Sequence, residues 1–208
     1  MPITMPKKIL LHPLAVRIAH WINALAIGVM LMSGWAIYNA SPIFGFRFPI
    51  WATLGGWLGG AIAWHFAAMW LVVVNGLFYL IYGVASGHFR RHFLPLHARD
   101  VVSDAYQAMR LRLPHQPGIY NAVQKLLYWG VMILGVIVVL SGLSIWKPVQ
   151  LELLSDLFGG FDFSRKVHFA AMAGIGAFVV VHLLLVAIVP KTLLPMVTGR
   201  GNAKESAS

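Results

Sequence analysis

Four stretches of this chain run long enough without Asp, Glu, Lys or Arg to cross a bilayer, and that pattern leaves few folds open. Arg17 and Arg47 bracket an apolar run over 18–38, which ends at the turn-like Asn39-Ala40-Ser41-Pro42. Lys125 and Lys147 bracket 126–146, and Lys166 and Lys191 bracket a run read as a span over 167–189. Between Arg47 and Arg90 the charge-free stretch is too long for one span. Gly55-Gly56 and Gly59-Gly60 interrupt it early, so the second helix is expected over 61–85, with 46–60 as an interfacial approach. Hydrophobic residues make up 59% of the 208 positions and charged residues 11%, which fits the bilayer as solvent. The expected fold class is all-α integral membrane: a four-transmembrane-helix bundle, one domain over 1–198, with a flexible tail over 199–208. No internal repeat or low-complexity segment stands out.

The net charge of +10 raises the question of nucleic acid, but basic membrane proteins concentrate Lys and Arg in cytoplasmic loops. Twelve of the sixteen cations here lie in the arm before the first span, in the 86–125 connection or after the last span. Both termini are therefore expected in the cytoplasm, and no nucleic-acid partner is expected. The first span is too long for a signal-peptide core and has no small-residue cleavage site after it, so it reads as uncleaved. Within the 86–125 connection, 97–113 is expected to form a surface helix with Asp100 and Asp104 near its start, before Pro114 and Pro117. The absence of cysteine excludes disulfides, thiolate metal sites and covalently attached haem, leaving nitrogen and oxygen ligands.

Ionisable residues inside a span are costly and mark function by default. Four of the nine histidines qualify: His20, His65, His168 and His182. His168 and His182 share the fourth span, and their separation amounts to about 1,400°, within about 40° of whole turns, so both leave one face about 21 Å apart. That distance sets His168 at the depth of His65 and His182 at the depth of His20. Two imidazoles from facing helices are the ligand set of a six-coordinate b-type haem, which favours electron transfer over ligand activation. Glycines at 28, 34, 76, 83, 135, 142, 174 and 176 offer close approach to backbone, for porphyrin or for helix packing. His12, His88, His92, His97 and His115 fall in connections, where solvation is expected.

The residues Arg17-Ile-Ala-His20-Trp21, a lone early histidine in the second span and the pair on the fourth resemble the cytochrome b561 and nickel–iron hydrogenase b-type cytochrome superfamily. Tyr120-Asn121-Ala-Val-Gln124-Lys125 is similar to that family's Y-N-x-x-Q-K signature. Ser33-Gly34-Trp35, Trp64-His65-Phe66 and Ser141-Gly142 resemble the thiosulfate reductase cytochrome b branch, which is similar to the formate dehydrogenase gamma subunit. The resemblance implies a multi-pass protein of the bacterial inner membrane holding two haem b. It pairs His20 with His182 on the cytoplasmic side and His65 with His168 on the periplasmic side. It also implies electron exchange between quinone and a periplasmic redox subunit of molybdopterin oxidoreductase or hydrogenase type.

The resemblance places Asn121, Gln124 and Lys125 at the quinone site, where amide donors and a charge suit quinone carbonyls. The competing reading makes Asn121 a helix cap and Lys125 a snorkelling end charge. Arg17, Arg165 and Lys166 are possible haem-propionate partners, or simply interface charges. Asn75, polar in mid-span, is expected to bond to a neighbouring helix, and the Trp and Tyr residues to form interfacial belts. Two other functions stay open: a stand-alone superoxide:quinone oxidoreductase steering its anion with Arg47, Lys147, Arg165 and Lys166, and a haem-free anchor or proton-linked transporter.

Overall fold

In the computed structural model, residues 8–110 and 120–202 are described. Four helices are long and apolar enough to cross a membrane: α1 (Leu14–Ala40), α2 (Leu58–Ala85), α5 (Ala122–Trp146) and α7 (Phe161–Ile188). Between them lie α3 (His88–His92), α4 (Ala98–Met109) and α6 (Glu152–Leu157), and α8 (Leu193–Thr198) follows the last. Large apolar side chains along the spans face outward, among them Val74 (63% exposed), Val84 (74%) and Ile188 (74%). Most buried positions in the spans are small instead, including Ala19, Ala26, Ala61, Ala68 and Ala171, with Ser33, Ser141, Ser144 and Ser164 fully enclosed. This inside-out distribution suits helices surrounded by hydrocarbon and packed through small residues.

Each span exceeds its expected bounds at one end or both; in α1, α5 and α7 this is because Arg17, Lys125, Arg165 and Lys166 sit inside helical turns instead of stopping them. Long cationic side chains reach interfacial water from within a helix. Gly55 (φ 115°) and Gly56 (φ 70°) do break the chain, in backbone conformations that suit glycine. Gly59 and Gly60 are helical, so α2 begins at Leu58. The surface helix expected over 97–113 is α4, and Pro114 and Pro117 lie outside the described residues.

Cα packing divides the chain into two compact units, and the long helices contribute to both. The first draws on the chain up to Ile18, Tyr79–Gly130 and the chain from Val180. It holds the one departure from an all-helical fold among the described residues: β1 (Lys8–Leu10) pairs antiparallel with β2 (Arg200–Asn202). Residues 200–202, assigned by sequence to the flexible tail, are thus a strand. Gly199 (φ 80°) ends α8 in the left-handed conformation, and its carbonyl accepts from Leu11 N–H at 2.9 Å, which turns the chain back onto β1. Arg17 fastens the same corner by donating to the carbonyls of Met196 and Val197 in the last turn of α8.

The first unit also buries a ring cluster. Phe93, 1% exposed, packs on Tyr128 (5.0 Å between ring centres), Phe89 (5.6 Å), Tyr120 (5.7 Å) and His88 (5.7 Å), and Phe89 continues to Tyr79 at 5.6 Å. His88, expected in a solvated connection, is thus half-buried against phenylalanine. Burial pushes the Tyr120 phenol above its ordinary range, so it stays a neutral hydroxyl.

The second unit comprises Ala19–Phe78 and Val131–Val179. Asn75 of α2 donates to the Ala19 carbonyl (2.7 Å) and to Asn23 Oδ1 (2.8 Å) of α1, the interhelical bond expected of a polar residue at that depth.

Candidate functional site

Within the second unit, α2 brings His65 and α7 brings His168 to face each other, with ring centres 6.4 Å apart and ring planes crossing at 65°. Ser33 Oγ on α1 lies 3.0 Å from His65 Nδ1, and Ser141 Oγ on α5 lies 3.2 Å from His168 Nδ1. Each serine hydroxyl donates to the carbonyl one turn back, Val29 and Ile137 respectively, both at 2.6 Å. The hydroxyl oxygen is then an acceptor toward the ring, so the ring hydrogen belongs on Nδ1. The Val138 carbonyl, 2.9 Å from His168 Nδ1, requires the same tautomer. With Nδ1 occupied, Nε2 carries the lone pair on both rings.

Glycine makes the close approach possible. A Cβ at Gly34 would lie 3.4 Å from His65 Cε1, and one at Gly142 would lie 3.1 Å from His168 Cε1. These two glycines therefore admit the histidine rings. Gly83 admits Phe89 and Gly174 admits Leu134, whereas Gly28, Gly76 and Gly135 have open space where a Cβ would stand.

The donor set fits a bis-imidazole haem. Two metal–nitrogen bonds of about 2 Å, with about 1.1 Å from nitrogen to ring centre on each side, put ring centres about 6 Å apart across one iron. Among the described residues, no three His, Cys, Asp or Glu side chains gather as a bare ion would require. His20 lies on α1 in the second unit, edge-on to Trp21 at 5.3 Å, and His182 lies on α7 in the first unit; both are half-buried.

Asn121, Gln124 and Lys125 all lie in the first unit at the start of α5. Asn121 Oδ1 accepts from Gln124 N–H (2.8 Å) and Gln124 Oε1 accepts from Asn121 N–H (3.1 Å), the reciprocal pairing of a capping box. Asp104 Oδ2 accepts from Ala122 N–H (2.8 Å), and Lys125 Nζ donates to the Pro95 carbonyl (3.2 Å). Arg165 donates to the Ser41 carbonyl and hydroxyl, and Lys166 is exposed.

The serine contacts expose what inspection of the sequence missed, an internal repeat. His65-Phe66-Ala67-Ala68-Met69 recurs as His168-Phe169-Ala170-Ala171-Met172, and Ser33-Gly34 recurs as Ser141-Gly142. Contacts repeat with it: Tyr38 packs on Phe169 at 5.1 Å, and Trp146 packs on Phe66 at 5.0 Å. The pairs α1–α2 and α5–α7 are thus equivalent around the two histidines. The repeat is hidden along the chain because 32 residues separate Ser33 from His65 and 27 separate Ser141 from His168, so no single offset aligns both halves.

A family model described as prokaryotic cytochrome b561 matches residues 11–199. The chain is also 46% identical over 190 residues to the putative protein-methionine-sulfoxide reductase subunit YedZ1 of Azospira oryzae, covering 91% of this chain and 96% of that protein.

Proposed function

Because the chain belongs to the prokaryotic cytochrome b561 family, we propose that it carries electrons across the bacterial inner membrane between the quinone pool and a periplasmic redox subunit. The observation that carries this reading is the His65–His168 pair, spaced for one iron with both Nδ1 atoms already engaged. Haem supplies the one-electron iron couple that neither a side chain nor a quinone hydrogen bond provides. His65 and His168 hold the periplasmic-side haem, and His20 and His182, one from each end of the first and last spans, hold the cytoplasmic-side one. Held by two imidazoles, each haem would supply electron transfer and leave no site for oxygen or substrate. Both termini and the 86–125 connection lie in the cytoplasm, following the excess of Lys and Arg there.

Quinone is placed at the start of α5. The cap there uses the side-chain oxygens of Asn121 and Gln124, so their amide N–H groups are what a quinone carbonyl would meet, with Lys125 supplying charge. Arg17 and Arg165 spend some donors on backbone carbonyls and Lys166 is exposed; the remaining N–H groups of all three suit haem propionates.

The relative's name supports a partner that reduces oxidised methionine residues, with electrons flowing outward from quinol. The test uses proteoliposomes holding the haem-loaded chain, a quinol analogue and a purified periplasmic methionine sulfoxide reductase. Rapid reduction of the cytochrome by quinol, then reoxidation only when reductase and a methionine sulfoxide peptide are both present, is expected. Turnover with superoxide and quinone alone would favour the stand-alone oxidoreductase instead.

A further inference from the structure

The repeat gives each facing histidine the same neighbour, and it does so with a residue the helix did not otherwise need. Ser33 and Ser141 are both 0% exposed and stand at equivalent places on α1 and α5. A buried serine in a membrane helix satisfies itself by donating to the carbonyl four residues back, and both do so. That bond alone would leave the hydroxyl lone pairs idle. In both halves they are directed at Nδ1 of the histidine on the next span, where Gly34 or Gly142 lets the ring approach.

We propose that Ser33 and Ser141 are positioning residues that, together with the main-chain carbonyls of Met30 at His65 and Val138 at His168, hold these rings as Nδ1–H tautomers with Nε2 free for a shared iron, and that the serine oxygens set the potential of that haem from both sides. The inference rests on the haem reading above. An acceptor at Nδ1–H makes the imidazole a stronger base toward iron and favours the oxidised state. Removing one acceptor shifts the balance toward the reduced state. Because the two serines are equivalent by repeat, either removal moves the potential in the same direction.

The experiment is spectroelectrochemical titration and low-temperature electron paramagnetic resonance of purified, haem-loaded wild type, Ser33→Ala, Ser141→Ala, Ser33→Thr and Ser141→Thr. Each alanine variant is expected to raise the reduced-to-oxidised ratio of the His65/His168 haem about three- to tenfold at fixed potential, tenfold being 59 mV for a one-electron couple. Its ferric signal shifts as the rings depart from their 65° crossing, while the second haem serves as an unmoved internal reference. Threonine, which keeps the hydroxyl, restores both readouts. If an alanine variant loses that haem while threonine keeps it, the proposal also stands. Unchanged potential and signal in both alanine variants would overturn it, as would loss of haem from alanine and threonine variants alike, which marks a packing role. A wild-type chain without haem would sink the underlying reading instead, so the two failures are distinguishable.

Discussion

A methyl group added at Gly142 would stand 3.1 Å from His168 Cε1, and one at Gly34 would stand 3.4 Å from His65 Cε1. The first contact is tighter than most carbon–carbon contacts, so the ring would have to give by a few tenths of an ångström, and the second is ordinary van der Waals distance. Gly142→Ala is accordingly expected to lower occupancy of the His65/His168 haem several-fold and Gly34→Ala to lower it little, as checked by the haem-to-protein ratio after purification. Asn75→Ala removes both bonds to α1 and is expected to cost about 1 kcal/mol, the scale of interhelical bonds in membranes, measured by thermal unfolding in detergent. At this scale the histidines were legible because an ionisable group in an apolar span stands out. Ser33 and Ser141 were not. A serine that bonds its own helix carries no mark in sequence, and only the neighbouring ring reveals the second use of its oxygen.

The start of α5 shows how one element serves packing and chemistry with the same residues. Asn121→Ala breaks the capping box and is expected to cost about 1 kcal/mol. Asn121→Asp keeps the acceptor and adds a charge that a helix N-terminus favours, so it is expected to unfold close to wild type. It lacks the amide hydrogens, however. If those hydrogens meet quinone, both variants slow reduction of the cytochrome by quinol; if the residue only caps, the aspartate variant reacts normally. The spans themselves were legible from charge-free length. Their ends were not, since Arg17, Lys125 and Lys166 read as boundaries but lie within helices. Likewise the strand Arg200–Asn202 has no pattern of its own and exists through pairing with Lys8–Leu10.

Across the whole chain the repeat explains an asymmetry among the four histidines. Aligning the halves on Ser33 and Ser141 sets Tyr128 opposite His20, and aligning them on His65 and His168 sets Tyr79 opposite His182. The halves therefore agree at the His65/His168 pair and differ at the other, where each supplies one histidine and one tyrosine. Tyr79 and Tyr128 instead pack with Phe89 and Phe93 in the first unit. It follows that His65→Ala and His168→Ala should remove the same haem, while His20→Ala and His182→Ala should remove the other. The most direct measurement is the haem-to-protein ratio with the reduced-minus-oxidised spectrum for wild type and these four variants. Two haems per wild-type chain and one in every variant, with two distinct residual spectra grouped as stated, is the predicted result. A haem-free wild type after expression with added haem, or variants that lose haem in any other grouping, would contradict it.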